Sequence, residues 1–340
     1  MAAPLQYSLL LLPFLCLFLA LAFSSGEADR KVPAIFIFGD SSADVGNNKY
    51  LSGGKNITNN FLPYGIDYPS TNGRNATGRY SNGYNGADVL AHKHTNHKPK
   101  YRSPPPYLSL KIDNHTKEIN ITQAKKNGIN FASGGSTLLW ESNCSVISMT
   151  QQMEDFRNFW LQLNETMSSQ QIDQLLSKSL FFISIGDNDI GAFLHEAFPN
   201  YDIKFPSFIS NLTATYGNHL KDLYKLGGRK FGIANFVPIG YIPKVKERCN
   251  HELEVLMNNL SSTLPGMKYS IGSSYDVFMK IIDNPGALDR RQYLFWDDVH
   301  PTEATTRVFG DLVYNGSTEY ASPINFKELA EDDNDLISMY

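Results

Sequence analysis

The chain has 340 residues, 42% of them apolar and 19% charged, which is enough for a globular core in one large domain or two small ones. Its 30 Lys and Arg against 34 Asp and Glu leave a net charge of −4, and the basic residues are scattered, which argues against a nucleic-acid partner. The sequence has no Walker-type lysine loop, no dinucleotide glycine fingerprint and no zinc-type Cys/His spacing, so nothing in it calls for a cofactor.

The amino terminus reads as a processing segment. Leu9 to Phe23 is an apolar run interrupted by Pro13, the small residues Ser24, Ser25 and Gly26 follow, and charge begins at Glu27. This is the pattern of a secretory signal peptide cut near Gly26 or Ala28, although the leading segment has no Lys or Arg. A retained anchor is the competing reading, but the run is short for a bilayer span. The expected layout is a signal peptide over 1–26 and one domain over 27–340, secreted, extracellular and without a stable membrane span. Cys16 leaves with the signal; Cys144 and Cys249 remain, and an oxidising compartment permits a bond between them without requiring it. Sequons begin at Asn56, Asn75, Asn114, Asn120, Asn143, Asn164, Asn211, Asn259 and Asn315, as in a glycosylated surface.

In chain order, the first element of the mature protein is Ala34–Phe38, a continuous apolar run expected to be a buried parallel strand. It enters Gly39-Asp40-Ser41, a tight glycine turn that would hold a hydroxyl at the carboxyl edge of a sheet, where ligands bind in open α/β folds. Asn56 to Asn75 reads as loop. After Gly78-Arg79-Tyr80-Ser81-Asn82-Gly83 comes a helix over Gly86–His92. His92, His94 and His97 alternate with Lys93, Lys98 and Lys100 and read as a solvated face rather than a metal site. Further strands are expected at Gly128–Ala132, Leu180–Ile185, Lys230–Asn235 and Lys268–Ser273. Helices are expected at Ser148–Leu163, Asp173–Ser177, Phe208–Leu226 and Asn250–Thr263. The alternation argues for a doubly wound sheet of five strands with helices on both faces. Beyond Pro323 the charged tail reads as a terminal helix or a frayed end.

Two distant segments add chemistry to Ser41. Asp297 and His300 lie in Asp297-Asp298-Val299-His300-Pro301, and Pro301 biases His300 away from helical geometry at the start of a helix running from Thr302. A serine hydroxyl needs a base, an imidazole suits the task, and a carboxylate three residues away could fix its tautomer. Asp298 is the neighbouring alternative. Gly186-Asp187-Asn188-Asp189 follows a strand and could aim the Asn188 amide at an oxyanion or merely make a turn. The Ser41 N–H and the Gly83 N–H are further donor candidates, with Gly78 the rival to Gly83.

Phe38-Gly39-Asp40-Ser41 with Asp44-x-Gly46-Asn47-Asn48, Gly78-Arg79-Tyr80-Ser81-Asn82-Gly83, Gly186-x-Asn188-Asp189 and Asp297-x-x-His300-Pro301 occur in the order seen in plant-type GDSL esterases/lipases. Gly128-Ile129-Asn130-Phe131-Ala132-Ser133-Gly134-Gly135 and Phe295-Trp296-Asp297 match as well. From about Pro33 to about Gly310 the chain resembles that family of the SGNH hydrolase superfamily. The resemblance implies a three-layer α/β/α, flavodoxin-like SGNH fold with a mostly parallel sheet. It implies an esterase or lipase acting on small-molecule or lipid esters through Ser41, His300 and Asp297, with Ser41, Gly83 and Asn188 at the oxyanion hole and no cofactor. An alcohol in place of water would make the same site an acyltransferase. Two features depart from the pattern: Ser42 replaces the usual Leu, and Asn284 to Arg291 is shorter than the family's insertion before Phe295. The helix after Cys249 also looks abbreviated. The shortening keeps a weakly catalytic or silent binding protein in view.

Overall fold

The computed structural model describes residues 32–52, 58–94, 103–113, 116–140, 146–237, 243–283 and 293–332. The signal-peptide segment, Cys144, His97, the sequons at Asn56, Asn114 and Asn143, and the short stretch from Asn284 to Arg291 lie outside the described residues.

The strands are β1 (Ile35–Gly39), β2 (Gly128–Asn130), β3 (Leu180–Ser184), β4 (Lys230–Ala234), β5 (Lys268–Gly272) and β6 (Ala321–Ser322). They form one sheet in the order β2-β1-β3-β4-β5-β6. All pairings are parallel except the last, where β6 runs antiparallel to β5. The sheet therefore has six strands and not the expected five. Two residues are too few to show an alternation in sequence, and β6 exists only because the chain returns along the free edge of β5.

The central strands are mostly apolar and buried because both faces are covered. Along β1, Phe36 and Phe38 enter one core while Ile35 and Ile37 enter the other. β3 divides in the same way, with Phe181 and Ile183 opposite Leu180 and Phe182. The first core holds helices α3 (Met149–Thr166), α4 (Ser169–Lys178), α5 (Asp187–Ala197), α6 (Tyr201–Lys225) and α7 (Pro243–Thr263). Its centre is aromatic: Phe36 lies 5.3 to 5.4 Å, centroid to centroid, from Phe156, Phe159 and Phe181. The second core holds α1 (Gly86–His94), α8 (Ser274–Asp283), α9 (Glu303–Asn315) and α10 (Phe326–Glu331). A short helix α2 (Ile121–Asn127) leads into β2.

Several elements differ from the sequence reading. α2, α5 and α8 were not expected. α5 follows its N-cap Gly186, whose φ of 115° favours glycine. α8 begins where Ser273 Oγ accepts the Asp276 amide and donates to its carboxylate. α7 starts at Pro243, seven residues before the expected Asn250. Thr302 is the N-cap of α9, accepting from Thr305 N, and Pro301 precedes the helix. The tail forms α10 behind an Asn325–Glu328 capping box. His94 is buried against Tyr314 and His92 packs edge-on to Tyr84, so these histidines are packing groups and not a solvated face. Cys249 is buried in the first core. No helix among the described residues is long and apolar enough to cross a membrane.

β1 sits where the winding reverses, with β2 on one side and β3 on the other. Residues following β1, β2 and β3 therefore converge at one carboxyl edge, the usual ligand position in such sheets.

Candidate active site

Ser41 lies just past the end of β1. The turn that carries it needs Gly39, whose φ is 148° and where a Cβ would run into the Ser184 carbonyl of β3. Gln152 of α3 clamps the same glycine, accepting from its N–H at 2.9 Å and donating to its C=O at 2.8 Å. Beyond the serine, the buried Asp44 carboxylate accepts from Gly46 N and Asn47 N at 2.7 Å and from Gly134 N at 3.0 Å. That last bond ties the loop after β1 to the loop after β2. Burial pushes the Asp44 carboxyl up to about 6.

His300 reaches Ser41 from the other end of the chain. Its Nε2 is 2.8 Å from Ser41 Oγ, and its Nδ1 is 2.9 and 2.8 Å from the two Asp297 oxygens. Asp297 also accepts the backbone N–H groups of Val299 and His300 at 3.0 and 2.8 Å. Partial burial would raise this carboxyl, but the hydrogen bonds from His300 and Val299 outweigh it and hold it well below the usual range. A carboxylate in that state keeps the Nδ1 proton, leaving Nε2 to accept from the serine. It is Asp297 that contacts His300, while Asp298 lines the cleft.

Two tyrosines complete the geometry, and the sequence reading missed both. Tyr64 donates its hydroxyl to Asp297 Oδ2 at 2.8 Å and packs edge-on to Trp296. Burial and this bond push its phenol up to about 12, so it remains a donor. The Tyr80 ring lies 4.8 Å from the His300 ring. It fits because residue 134 is a glycine: a Cβ there would enter the Tyr80 ring.

Asn188 is in the first turn of α5, at the end of β3. Its Nδ2 donates to Ser136 O at 2.9 Å, which leaves its second amide hydrogen for the cleft it lines. Asp189 beside it accepts from Leu138 N and Leu139 N at 2.9 to 3.0 Å, fastening α5 to the loop after β2. Gly134 and Gly135 of that loop line the cleft with Ser41 and Asn188. Gly134 N is taken by Asp44, whereas among the described residues no acceptor is found for the N–H of Gly135 or of Ser41.

Gly83 does not line the cleft, which corrects the expectation that it would face an oxyanion. A Cβ at Gly83 would meet the Glu303 carboxylate at the start of α9. The end of the Gly78–Gly83 motif instead clamps the segment bearing His300. Ser81 Oγ donates to Pro301 O at 3.2 Å, Asn82 Oδ1 accepts Glu303 N at 2.8 Å, and Glu303 Oε2 accepts Tyr84 N at 2.9 Å. Arg79 anchors the motif through two bonds to buried Asp88, at 2.6 and 2.7 Å. Gly78 is absent from the cleft lining too, with φ 83° against Gly46. One signal could have pointed to Gly135: Gly128–Gly135 ends a parallel strand at the same sheet edge as Ser41, whereas Gly83 precedes a helix.

Ser42, the departure from the family pattern, donates to Asp40 Oδ1 at 2.9 Å and lies 2.7 Å from Ser184 Oγ. Its hydroxyl is engaged by these two partners. Burial, with Asp187 nearby, pushes the Asp40 carboxyl up to about 7.

The sequence pattern of the GDSL-like lipase/acylhydrolase family matches residues 35–313. Similar proteins include two from Arabidopsis thaliana. GDSL esterase/lipase At1g71250 is 30% identical, with the match covering 90% of this chain and 90% of that protein. GDSL esterase/lipase At5g63170 is 31% identical, covering 80% of this chain and 87% of that protein. Among solved structures, a catalytic mutant of an acetylxylan esterase from Geobacillus stearothermophilus aligns over 82% of this chain and 91% of that chain, with a TM-score of 0.39 and 14% identity. That likeness is too weak to bear on the site.

Proposed function

The chain belongs to the GDSL-like lipase/acylhydrolase family of ester-hydrolysing serine hydrolases, and on that premise we propose that it cleaves carboxylic esters through a Ser41 acyl-enzyme. The observation that carries this reading is His300, with Nε2 at 2.8 Å from Ser41 Oγ and Nδ1 at 2.8 Å from Asp297. Ser41 Oγ attacks the ester carbonyl carbon as its proton passes to His300 Nε2, and Asp297 stabilises the imidazolium. The Ser41 N–H, the Gly135 N–H and the Asn188 amide hold the resulting oxyanion. Collapse breaks the ester C–O bond, and His300 returns the proton to the departing alcohol. Water, activated by the same imidazole, then releases the acid. An alcohol entering in its place gives acyl transfer, which product analysis in alcohol–water mixtures would detect. The reading is tested with Ser41→Ala, which removes fluorophosphonate labelling and costs on the order of 10⁶-fold in turnover, while Ser42→Ala keeps both. Labelling that persists in Ser41→Ala would make another residue the nucleophile.

The mature enzyme is a single secreted domain over 27–340, freed of residues 1–26 and glycosylated. This part rests on the apolar Leu9–Phe23 run with the small residues after it, and on the sequons. Asn75, Asn120, Asn164, Asn211, Asn259 and Asn315 are all exposed. Intact mass before and after glycosidase treatment, with amino-terminal sequencing, tests it; a retained Met1 and an unchanged mass would refute it.

A further inference from the structure

Tyr80 stands between His300 and the loop that follows β2. Its ring centroid is 4.8 Å from that of His300, and the two planes make an angle of 36°, closer to stacked than to edge-on. Towards the loop, its Cε2, Cζ and hydroxyl occupy the space that a Cβ on Gly134 would need. Asn48 joins the two: its Nδ2 donates to Gly134 O at 2.8 Å and, more weakly, to the Tyr80 hydroxyl at 3.4 Å, while its Oδ1 accepts from Ser133 Oγ. The chain neighbours of Tyr80 are fixed as well, Arg79 by Asp88 and Ser81 by Pro301 O.

The hydrogen bonds that hold the imidazole, Nδ1 with Asp297 and Nε2 with Ser41, are made at the edge of its ring. They leave the ring free to tip about the line that joins the two nitrogens. A flat group against the ring face removes that freedom, and Tyr80 supplies one. Burial pushes the Tyr80 phenol up, with Asp44 adding to it, so the group stays neutral. The face of a neutral aromatic ring attracts a cation through its quadrupole. When His300 takes the serine proton it becomes such a cation, so the contact is stronger in the transition state than before it.

We propose that Tyr80 is a positioning residue for the reaction: its ring sets the tilt of the His300 imidazole and stabilises it once protonated, and its hydroxyl serves only to seat the ring beside Asn48 and Gly134. The role rests on the Ser41 acyl-enzyme reading, because it is exerted through His300 and needs no contact with the substrate. It also ties the position of the base to the loop bearing Gly135, which the same reading places at the oxyanion.

The experiment compares the wild type with Tyr80→Phe, Tyr80→Leu and Tyr80→Met on p-nitrophenyl butyrate. Titration with a fluorophosphonate counts the competent Ser41 sites in each sample, so a variant that merely folds less well loses sites but not turnover per site. Tyr80→Phe keeps the ring and keeps kcat per site. Tyr80→Leu and Tyr80→Met remove it, and kcat per site falls by about 3- to 30-fold, the factor that corresponds to roughly 0.5–2 kcal/mol of cation–π attraction. KM stays close to the wild-type value, and the rate of fluorophosphonate labelling falls with kcat. A loss in Tyr80→Phe as large as in Tyr80→Leu would assign the effect to the hydroxyl, and a loss confined to KM would put Tyr80 against the substrate. Either overturns the proposal, as does unaltered turnover per site in the two variants without a ring. Tyr80→Phe changes the packing least, so it can overturn the proposal even where Tyr80→Leu and Tyr80→Met do not fold. A wild type that is not labelled at all would remove the acyl-enzyme reading and this role with it; a wild type labelled no faster than Tyr80→Leu would remove only the role of Tyr80.

Discussion

Tyr64 donates its hydroxyl to Asp297 at 2.8 Å, on the carboxylate oxygen that also faces His300 Nδ1. The tyrosine is outside the cleft lining, so it acts on the reaction only through Asp297. Tyr64→Phe keeps the ring against Trp296 and removes the donor. A hydrogen bond to a charged group is worth about 1.5 kcal/mol or more, so kcat falls by about 10-fold while KM stays close to the wild-type value. Steady-state kinetics separate the two constants; a change confined to KM would mean that Tyr64 touches substrate.

Asn188→Ala lowers kcat by roughly 10²–10³-fold, the usual loss for one oxyanion donor, with a small effect on KM. Gly83→Ala does not share that signature. Its methyl displaces the Glu303 carboxylate and loosens the start of α9, so its defect appears as lower thermal stability and is relieved in part when Glu303 is shortened to Ala. A Gly83→Ala enzyme of normal stability but with a kcat loss like that of Asn188→Ala would return Gly83 to the oxyanion hole.

Arg79 and Asp88 form a buried ion pair, and Arg79 also lies 4.5 Å from the Tyr68 ring centroid. Arg79→Met strands the Asp88 charge and costs about 3–5 kcal/mol of stability. Arg79→Met combined with Asp88→Leu recovers a large part of it. Chemical denaturation of the single and double variants measures both values, and a single variant as stable as the wild type would contradict this account.

Asp40 gives the protein a pH-dependent stability with a definite sign. Its carboxyl is raised to about 7 in the fold, from 3.8, by burial and by Asp187. The folded state thus holds this proton more tightly than the unfolded chain does. The resulting stabilisation is complete below about pH 4 and is lost as the pH rises through 7. Asp44 and Asp189, both raised to about 6, act in the same direction. Asp40→Asn removes one contribution, so its melting temperature declines less than that of the wild type between pH 5 and pH 8. Parallel melting curves across that range would show that Asp40 is not protonated in the fold.

The sequence exposed what depends on local pattern. β1, β3 and β4 are continuous apolar runs, and their ends were placed within one residue or so. Ser41, Asp297, His300 and Asn188 sit in motifs whose order was readable, and the fold brings all four to one sheet edge. What the sequence hid depends on partners distant in the chain. β6 is a strand only because β5 offers an edge. α5 follows a glycine whose left-handed backbone hides the helix start. Gly83 looked like a donor because glycine permits close approach, but the group that approaches it is Glu303, 220 residues further on and invisible to local reading. Tyr64 carried no sequence signal, and Tyr80 was legible only as a member of the Gly78–Gly83 motif, since the importance of both comes from the side chains they meet.

Ser41 and His300, in hydrogen-bond contact, are separated by 259 positions. No strand carries His300: its segment is held by Ser81, Asn82 and Glu303 at the start of α9, and by backbone bonds from Trp296 and Thr302. The six-stranded sheet can therefore stay intact while this one junction opens, in the manner of local unfolding. Such a molecule would keep its circular dichroism, yet have Ser41 without its contact to His300. Inactivation on mild heating or in low denaturant should then precede the loss of circular dichroism, and turnover becomes a more sensitive gauge than the sheet of whether the segment bearing His300 is seated.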